Sequence, residues 1–183
     1  EGSRLSQKEV ETIINKQYVK KNIEKKEITE VQNSIKAFNF IRDDKFKLNQ
    51  KSILQLHKLL TQNLNIASGY KKQEIIVNNK PTISPKEVKI SMVELINKRK
   101  TTKKKKEHPL IAAIYFHQRF EFIHPFMDGN GRVGRLIFIW MLMKTNYGVI
   151  LFKKTNRQAY FSALDKADNH MFKKLIWFCV RVY

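Results

Sequence analysis

Apolar residues recur at spacings of three and four along the N-terminal part of the chain. This spacing runs from Val10 to Ile14, from Ile28 to Ile41 and from Ser52 to Leu60. Such a period places the apolar side chains on one face of a helix. Ser52 follows the polar stretch KLNQK, and we expect its hydroxyl to cap the third helix. The pattern therefore predicts three amphipathic helices.

The helical spacing stops between Gly69 and Ile83, where the sequence reads GYKKQEIIVNNKPTI. The β-branched run Ile75–Val77 favours an extended strand. Asn78 and Asn79 follow this run, and asparagine tolerates the left-handed backbone of a tight turn. We predict a small β-hairpin in this segment.

Further helices are predicted in the C-terminal half. Pro85 and Pro109 each stand where proline suits the first turn of a helix, the first of which runs towards Lys98. The segment after Pro109, PLIAAIYFHQRFEFI, is apolar on more than one face, which predicts a central, well-buried helix. Two more segments cover 135–144 and 157–169, and LIWFCV closes the fold. No repeat or linker interrupts them, so we expect one all-α domain with a single hairpin.

Basic residues greatly outnumber acidic ones in this chain. It carries 36 lysine and arginine residues against 16 aspartate and glutamate residues, a formal net charge of +20. Such a charge suits nucleic acid or another acidic partner. The excess is mostly lysine, scattered over predicted solvent-exposed helix faces. Arginine, which recognises bases and binds phosphate through two parallel hydrogen bonds, is scarce. We interpret the densest run, Lys98–Lys106, as an exposed loop or helix end, and expect only weak, nonspecific nucleic-acid binding.

Signals for compartment and membrane are few. Cys179 is the single cysteine, which excludes an internal disulfide and favours the cytoplasm. Its apolar surroundings in the sequence predict an inert, buried thiol. The longest apolar run, Leu136–Met143, is too short to span a membrane, and we expect no membrane association. The chain begins at Glu1 rather than methionine, and we expect the natural start to lie upstream.

The segment HPFMDGNGRVGR, His124 to Arg135, contains a G-x-G-x-x-G at Gly129, Gly131 and Gly134. This spacing also marks dinucleotide-binding folds, which require a preceding strand, a βαβ unit and an acidic residue about twenty positions later. Here the preceding segment reads as helical, and lysines occupy the later positions. A kinase glycine loop is excluded as well, because neither a strand lysine nor an H-R-D loop follows.

The residues around these glycines still predict a phosphate site. Glycines allow backbone N–H groups to approach an anion, and these precede a helix whose N-terminus attracts negative charge. The spacing of Arg132 and Arg135 places both side chains on one side of that helix, where they can bind a polyphosphate. We interpret Gly134 as permitting close packing of the helix. Asp128 suits Mg²⁺ bound between its carboxylate and the phosphates. His124, an imidazole that titrates near neutrality, is the candidate general base.

The same segment matches every position of the signature H-P-F-x-[DE]-G-N-G-R-x-x-R, so the chain resembles the Fic (filamentation induced by cAMP) family. Four other segments resemble Fic sequences in the expected order: EITEVQNSIKAFNFI, SGYKKQEIIV, HPLIAAIYFHQRFEFIHPF and NRQAYFSALDKAD. The resemblance implies an all-α Fic fold, a helical bundle with a small β-hairpin flap. It further implies a single Fic domain over 1–183, with an N-terminal segment at 1–27 and a core at 28–183.

The activity that the resemblance implies is protein adenylylation. AMP passes from ATP to a Tyr, Thr or Ser hydroxyl of a target protein, and pyrophosphate leaves. The implied cofactor is Mg²⁺, and the implied partners are ATP and a target protein. Whether the chain forms a homo-oligomer is left open. Gly131 stands where the Doc-like kinases of the family carry lysine, which favours nucleotidyl transfer. The alternatives are a Fic enzyme that removes AMP or transfers UMP or phosphocholine, and a basic nucleic-acid-binding module.

The resemblance also assigns site residues position by position. The implied catalytic residues are His124, Asn130 and Arg132, and the implied metal ligand is Asp128. The residues implied to contact phosphates or nucleotide are Gly129, Asn130, Gly131, Arg132, Arg135 and Tyr160. The residues implied to form the target-docking flap are Gly69, Tyr70, Lys71, Gln73, Ile75 and Ile76, with lysine at 71 where arginine is expected.

A second resemblance lies at the first two residues. Glu1 and Gly2 match the end of the inhibitory helix of many Fic proteins, [ST]-x-x-x-E-[GN]. It implies that Glu1 reaches Arg135 and blocks placement of the γ-phosphate, since a carboxylate can fork onto that guanidinium. The alternative is that EGS is a tag remnant or a frayed end.

Three further residues near the motif have structural interpretations. We expect Phe126 to be a buried anchor for the loop. His117 lies on the same helical face as His124, and we expect a packed histidine bonded to the loop rather than half of a metal-binding pair. His108 precedes Pro109 and is expected at the start of that helix.

Overall fold

Helices dominate the computed structural model, which describes residues 5–15, 23–104, 107–145, 147–148, 150, 152–169 and 171–182. The helices in these ranges are α1 (Gln7–Ile14), α2 (Lys25–Arg42), α3 (Gln50–Thr61), α4 (Pro85–Lys104), α5 (Pro109–Ile123), α6 (Asn130–Met143), α7 (Arg157–Asp168) and α8 (Phe172–Val182), with a 3₁₀ turn at Lys154–Asn156. Two strands, β1 (Ile76–Val77) and β2 (Lys80–Pro81), pair in one small sheet. The predicted all-α architecture with a hairpin is confirmed.

The N-terminal helices begin at side-chain caps. Ser6 caps α1 in a capping box, because its hydroxyl accepts the Glu9 N–H while the Glu9 carboxylate accepts the Ser6 N–H. α3 is capped by Asn49, whose Oδ1 accepts the Ser52 N–H at 2.9 Å. The prediction that Ser52 is the cap is therefore wrong. Asparagine caps a helix as well as serine does, and Asn49 comes first in the chain.

Proline opens two of the central helices, as predicted. Pro85 begins α4, which extends to Lys104, so the described part of the basic run forms a helix end; residues 105–106 lie outside the described ranges. Pro109 begins α5, with His108 as its N-cap residue. α5 packs against α4, α6, α7 and α8 and buries most of its side chains, so the prediction of a central helix is confirmed.

α6 begins at Asn130, well before the predicted segment 135–144. Gly129 precedes it with a φ of +84°, a left-handed conformation that glycine adopts without strain. α6 packs along α5, where a Cβ on Gly134 would collide with the Glu121 carboxylate and lie 3.1 Å from the Phe120 ring. The interpretation of Gly134 as a packing glycine is confirmed.

The hairpin forms where the β-branched run predicts it. β1 and β2 are antiparallel, with Val77 opposite Lys80. Asn78 and Asn79 lie between them with φ angles of +50° and +61°, so both turn residues are left-handed, as in a type I′ turn. The Thr82 N–H donates to the Ile75 carbonyl at 3.1 Å and extends the pairing by one bond.

The apolar core surrounds α5 and α6. Its largest fully buried aromatic side chains are Phe116, Phe120, Phe126 and Phe138, which confirms Phe126 as a buried anchor. Cys179 on α8 is also buried, and burial raises its pKa to about 12, which agrees with the predicted inert thiol. None of the helices in the described ranges combines the length and apolar character needed to cross a bilayer.

Candidate active site

A cavity of about 1100 Å³ lies between the hairpin, the C-terminal end of α5, the loop that follows it, the start of α6, and α7. The hairpin side consists of Val77, Asn78, Lys80, Pro81 and Thr82; the loop and the start of α6 contribute His124, Met127, Asp128, Gly129, Asn130 and Gly131; and the α7 side includes Arg157, Gln158, Phe161, Leu164, Asp165 and Asp168. Much of the signature segment therefore faces one cavity, as the phosphate-site prediction requires.

The loop between α5 and α6 is held by its own side chains. Asn130 is buried, and its amide accepts the Phe126 N–H at 2.8 Å and donates to the Phe126 carbonyl at 2.7 Å. The Asn130 side chain thus fixes the loop. The backbone N–H groups of the first turn of α6 precede the first helical bond, from Val133 to Gly129, and are the kind of group that can donate to an anion.

His124 ends α5 in a left-handed conformation, with a φ of +50°, and lines the cavity. Its Nδ1 lies 3.3 Å from the Glu121 carbonyl. A carbonyl oxygen only accepts hydrogen bonds, so this contact assigns the ring proton to Nδ1. The other nitrogen, Nε2, is then the atom that can take a proton from a substrate.

Asp128 projects from the same loop with a side chain that is 58% exposed. Its Oδ1 accepts the Gly129 N–H and lies 3.4 Å from Arg132 Nη2. Both contacts involve Oδ1, so Oδ2 is not committed by either of them. The described residues contain no group of three or more His, Cys, Asp or Glu side chains that could hold a metal. A single carboxylate fits Mg²⁺ only when substrate phosphates complete the coordination, which suits a nucleotide site.

The two arginines of the signature lie outside the wall of the cavity. Arg132 Nη1 lies 3.6 Å from Glu30 on α2, so this guanidinium bridges α2 and Asp128. Arg135 lies close enough to His117 to act on it through its charge. Burial and this positive charge together lower the pKa of His117 to about 3. The predicted contacts of Arg132 and Arg135 with phosphates stay predictions, because nothing in the structure tests them.

Tyr160 lies in the core rather than at the cavity. Its side chain is 4% exposed, and its hydroxyl lies 2.5 Å from Nε2 of His117. The neighbouring Arg157 and Phe161 of α7 line the cavity instead. His117 is therefore a packed histidine, as expected, although its Nε2 partner is Tyr160 and not the loop.

The predicted flap residues divide into two groups. Lys71 is buried: its N–H donates to the Pro125 carbonyl at 2.8 Å, and its ammonium group donates to Thr82. Tyr70 stacks on Phe126 at a centroid distance of 5.9 Å. Tyr70 and Lys71 therefore tie the segment before the hairpin to the loop between α5 and α6, while Ile76 is 71% exposed.

Sequence reasoning missed His57 on α3. This residue is fully buried, its ring stacks on that of Phe126, and its Nε2 lies 3.0 Å from the Asp128 carbonyl. Burial lowers its pKa below the ordinary histidine value. The sequence places His57 beside Ile53 and Leu60 on the apolar face of α3. This pattern could have indicated burial, since it usually marks a core position.

Glu1, the predicted inhibitory residue, lies outside the described residues. Its contact with Arg135 therefore stays a prediction.

Known proteins resemble this chain in both sequence and structure. A sequence model of the Fic/DOC family matches residues 47–142. A probable protein adenylyltransferase of Aquifex aeolicus is 32% identical over 122 residues, which are 63% of this chain and 36% of the relative. The protein adenylyltransferase Fic of Drosophila persimilis is 26% identical over 147 residues, which are 79% of this chain and 29% of the relative. The chain thus spans only about a third of the length of these curated relatives.

In three dimensions the chain is similar to Fic-1 of C. elegans. The TM-score is 0.89 over 99% of this chain and 56% of that one, at 20% sequence identity. At this identity the likeness shows a shared fold.

Proposed function

We propose that this chain, which belongs to the Fic/DOC family, transfers AMP from ATP to a Tyr, Thr or Ser hydroxyl of a target protein and releases pyrophosphate. The observation that carries the proposal is the position of His124. His124 lines the same cavity as Asp128 and the first residues of α6. A base, an anion-binding backbone and a metal-binding carboxylate are what this transfer needs at one place.

Each of these groups has a separate role in the proposed reaction. His124 Nε2 takes the proton of the target hydroxyl, whose oxygen forms a bond to the α-phosphorus of ATP. The bond from that phosphorus to the bridging oxygen breaks, and pyrophosphate carries away the electron pair. The N–H groups at the start of α6 donate to the phosphate oxygens, where negative charge accumulates during transfer.

Asp128 is the residue that would hold Mg²⁺. The bound ion would neutralise charge on the phosphates during transfer. Arg132 stands beside this carboxylate, which supports its proposed role at the distal phosphates. In the same proposal Arg135 fixes the γ-phosphate.

The hairpin would dock the target protein. β1 and β2 form an exposed two-stranded sheet whose residues line the cavity, and an extended target segment can add to the edge of such a sheet through backbone hydrogen bonds. The contacts of Lys71 and Tyr70 with the loop support a role for segment 69–73 as the base of the flap. Ile76 and Val77 would then meet the target.

The base assignment is tested by His124→Ala in a Glu1→Gly background, which removes the proposed inhibition. We expect AMP transfer from α-labelled ATP to fall by about a hundredfold or more, because a general base contributes ~10²–10⁴ to the rate. ATP binding measured by calorimetry should persist, since His124 contacts the hydroxyl and not the phosphates. His108→Ala, at an exposed histidine bonded to Tyr147, is the matched control. Undiminished transfer by His124→Ala would contradict the proposed base.

The remaining features of the reaction have their own assays. A panel of labelled ATP, UTP and CDP-choline, together with an AMP-removal assay, separates adenylylation from the other Fic reactions. Equal transfer rates for the wild type and Glu1→Gly would contradict inhibition by Glu1. Strong, salt-dependent DNA binding that is indifferent to His124→Ala, without transfer activity, would favour the basic nucleic-acid-binding module instead.

A further inference from the structure

His57 contacts the loop between α5 and α6 from outside the signature segment. It lies on α3, 71 positions before Asp128 in the chain. Its ring lies flat against Phe126, with a centroid distance of 3.8 Å and an interplanar angle of 8°. Two contacts of different kinds, an apolar stack and a hydrogen bond, therefore join α3 to the loop through one side chain.

The hydrogen bond fixes the tautomer of the His57 ring. The Asp128 carbonyl accepts, so Nε2 carries the proton and donates at 3.0 Å. The second nitrogen, Nδ1, is buried and has no hydrogen-bond partner among the described residues. Such a buried polar atom is costly, so packing alone would favour an apolar residue at this position.

The peptide group that His57 holds is the one that orients Asp128. The carbonyl of this peptide belongs to Asp128 and accepts from His57, and its N–H belongs to Gly129 and donates to the Asp128 Oδ1. A rotation of the peptide plane would break both bonds together. Gly129, at a φ of +84°, would otherwise allow such a rotation, because glycine has a wide choice of backbone conformations.

We infer that His57 is a positioning residue for Asp128. Its Nε2–H locks the 128–129 peptide, and this peptide aims the carboxylate at the Mg²⁺–ATP complex. The inference rests on the proposed function in taking Asp128 as the metal ligand. Outer partners that orient a ligand in this way typically change metal affinity by about 10–100-fold when they are removed.

Two substitutions separate the hydrogen bond from the stack. His57→Phe keeps a ring against Phe126 and loses the donor, whereas His57→Gln keeps a donor near the Nε2 position and loses the ring. Calorimetry of ATP binding, with Mg²⁺ and with EDTA, gives the metal-dependent part of the affinity. We expect His57→Phe to weaken that part about 10–100-fold and to leave binding in EDTA unchanged. His57→Gln should restore most of it.

A second readout does not depend on Mg²⁺. The amide signal of Gly129 in ¹⁵N-resolved NMR reports the bond to Asp128 Oδ1, and it should shift in His57→Phe but not in the control His108→Phe. An unshifted Gly129 signal together with wild-type Mg²⁺ dependence in His57→Phe would overturn the inference. Equal losses with Mg²⁺ and with EDTA would also overturn it, since they indicate a purely structural role. Failure of the wild type to transfer AMP would count against the proposed function alone, because the Gly129 signal still decides the role of His57.

Discussion

Two glycines of the signature segment meet different physical requirements. Gly129 has a φ of +84° and begins the turn into α6, so its conformation excludes most other residues. Gly134 lies inside α6 with no such conformation, and its requirement is space against α5. The G-x-G-x-x-G spacing therefore combines a backbone requirement with a packing requirement, which is why it resembles a dinucleotide motif without being one.

Gly134→Ala should destabilise the protein even though alanine is the better helix former. A Cβ at this position would collide with the Glu121 carboxylate and lie 3.1 Å from Phe120 and 3.2 Å from His117 Nδ1. The carboxylate can move, but the two rings belong to a packed layer. We expect a net loss of about 1 kcal/mol in urea unfolding, since overpacking of about 2 kcal/mol is partly offset by a gain in helix propensity of about 1 kcal/mol.

Gly69→Ala provides a comparison for this substitution. Gly69 has a φ of +91° but no atom within 4 Å of the Cβ position, so alanine there is strained without being crowded. In a double-mutant cycle, Phe120→Leu on α5 should cost less stability in Gly134→Ala than in the wild type, and as much in Gly69→Ala as in the wild type. If Gly134→Ala were as stable as the wild type, α5 and α6 would not be packed as closely as described.

At the scale of the elements, local signals determined what could be predicted. Proline and asparagine act through their own backbone preferences. The structure confirms the helix starts predicted from Pro85 and Pro109 and the turn predicted from Asn78 and Asn79. The start of α6 was placed too late, because glycine and asparagine at 129–131 resemble a loop. The cap of α3 was misassigned, because two capping residues, Asn49 and Ser52, compete within one turn.

The hairpin turn gives a test at this scale. Asn79 has a φ of +61°, which a β-branched residue adopts at a cost of roughly 1–2 kcal/mol. We expect Asn79→Val to speed hydrogen exchange of the Thr82 amide, whose bond to Ile75 closes the hairpin, by about tenfold. Asn79→Gly is the matched control and should preserve or increase protection, because Asn-Gly is favoured in such turns. Equal protection in all three proteins would mean that the turn does not determine the hairpin.

At the scale of the whole molecule, long-range contacts limit what the sequence can predict. The signature residues that line the cavity, His124 and 127–131, are close together in the chain, so their meeting there could be predicted from this segment alone. His57 and Asp128 are 71 positions apart, and a histidine on an apolar helix face gives no indication of its partner. Tyr160 likewise reads as a nucleotide contact by resemblance, whereas the packing of α5 against α7 directs its hydroxyl to buried His117.

These buried histidines also link stability to pH. The pKa of His117 is lowered to about 3, first by burial and then by the charge of Arg135, while the Glu121 carboxylate, which would oppose this, is 3.9 Å away. The pKa of His57 is lowered as well, chiefly by burial. Both rings are therefore neutral in the folded protein at pH values where they take up protons in the unfolded chain. Stability is complete above the unfolded pKa of about 6.5 and is lost as the pH falls below it.

We expect the free energy of unfolding to decrease by about 1–2 kcal/mol between pH 6.5 and pH 5.5, since each such histidine contributes up to about 1.4 kcal/mol per pH unit. Urea unfolding followed by circular dichroism at several pH values measures this slope. His117→Gln should lower stability at pH 7.5, because the bond to Tyr160 is disturbed, yet it should flatten the slope by about 1 kcal/mol per pH unit. Exposed His108, changed to glutamine, should leave the slope as in the wild type. An identical slope in His117→Gln would mean that this ring takes up its proton equally in the folded and unfolded states, contrary to its burial.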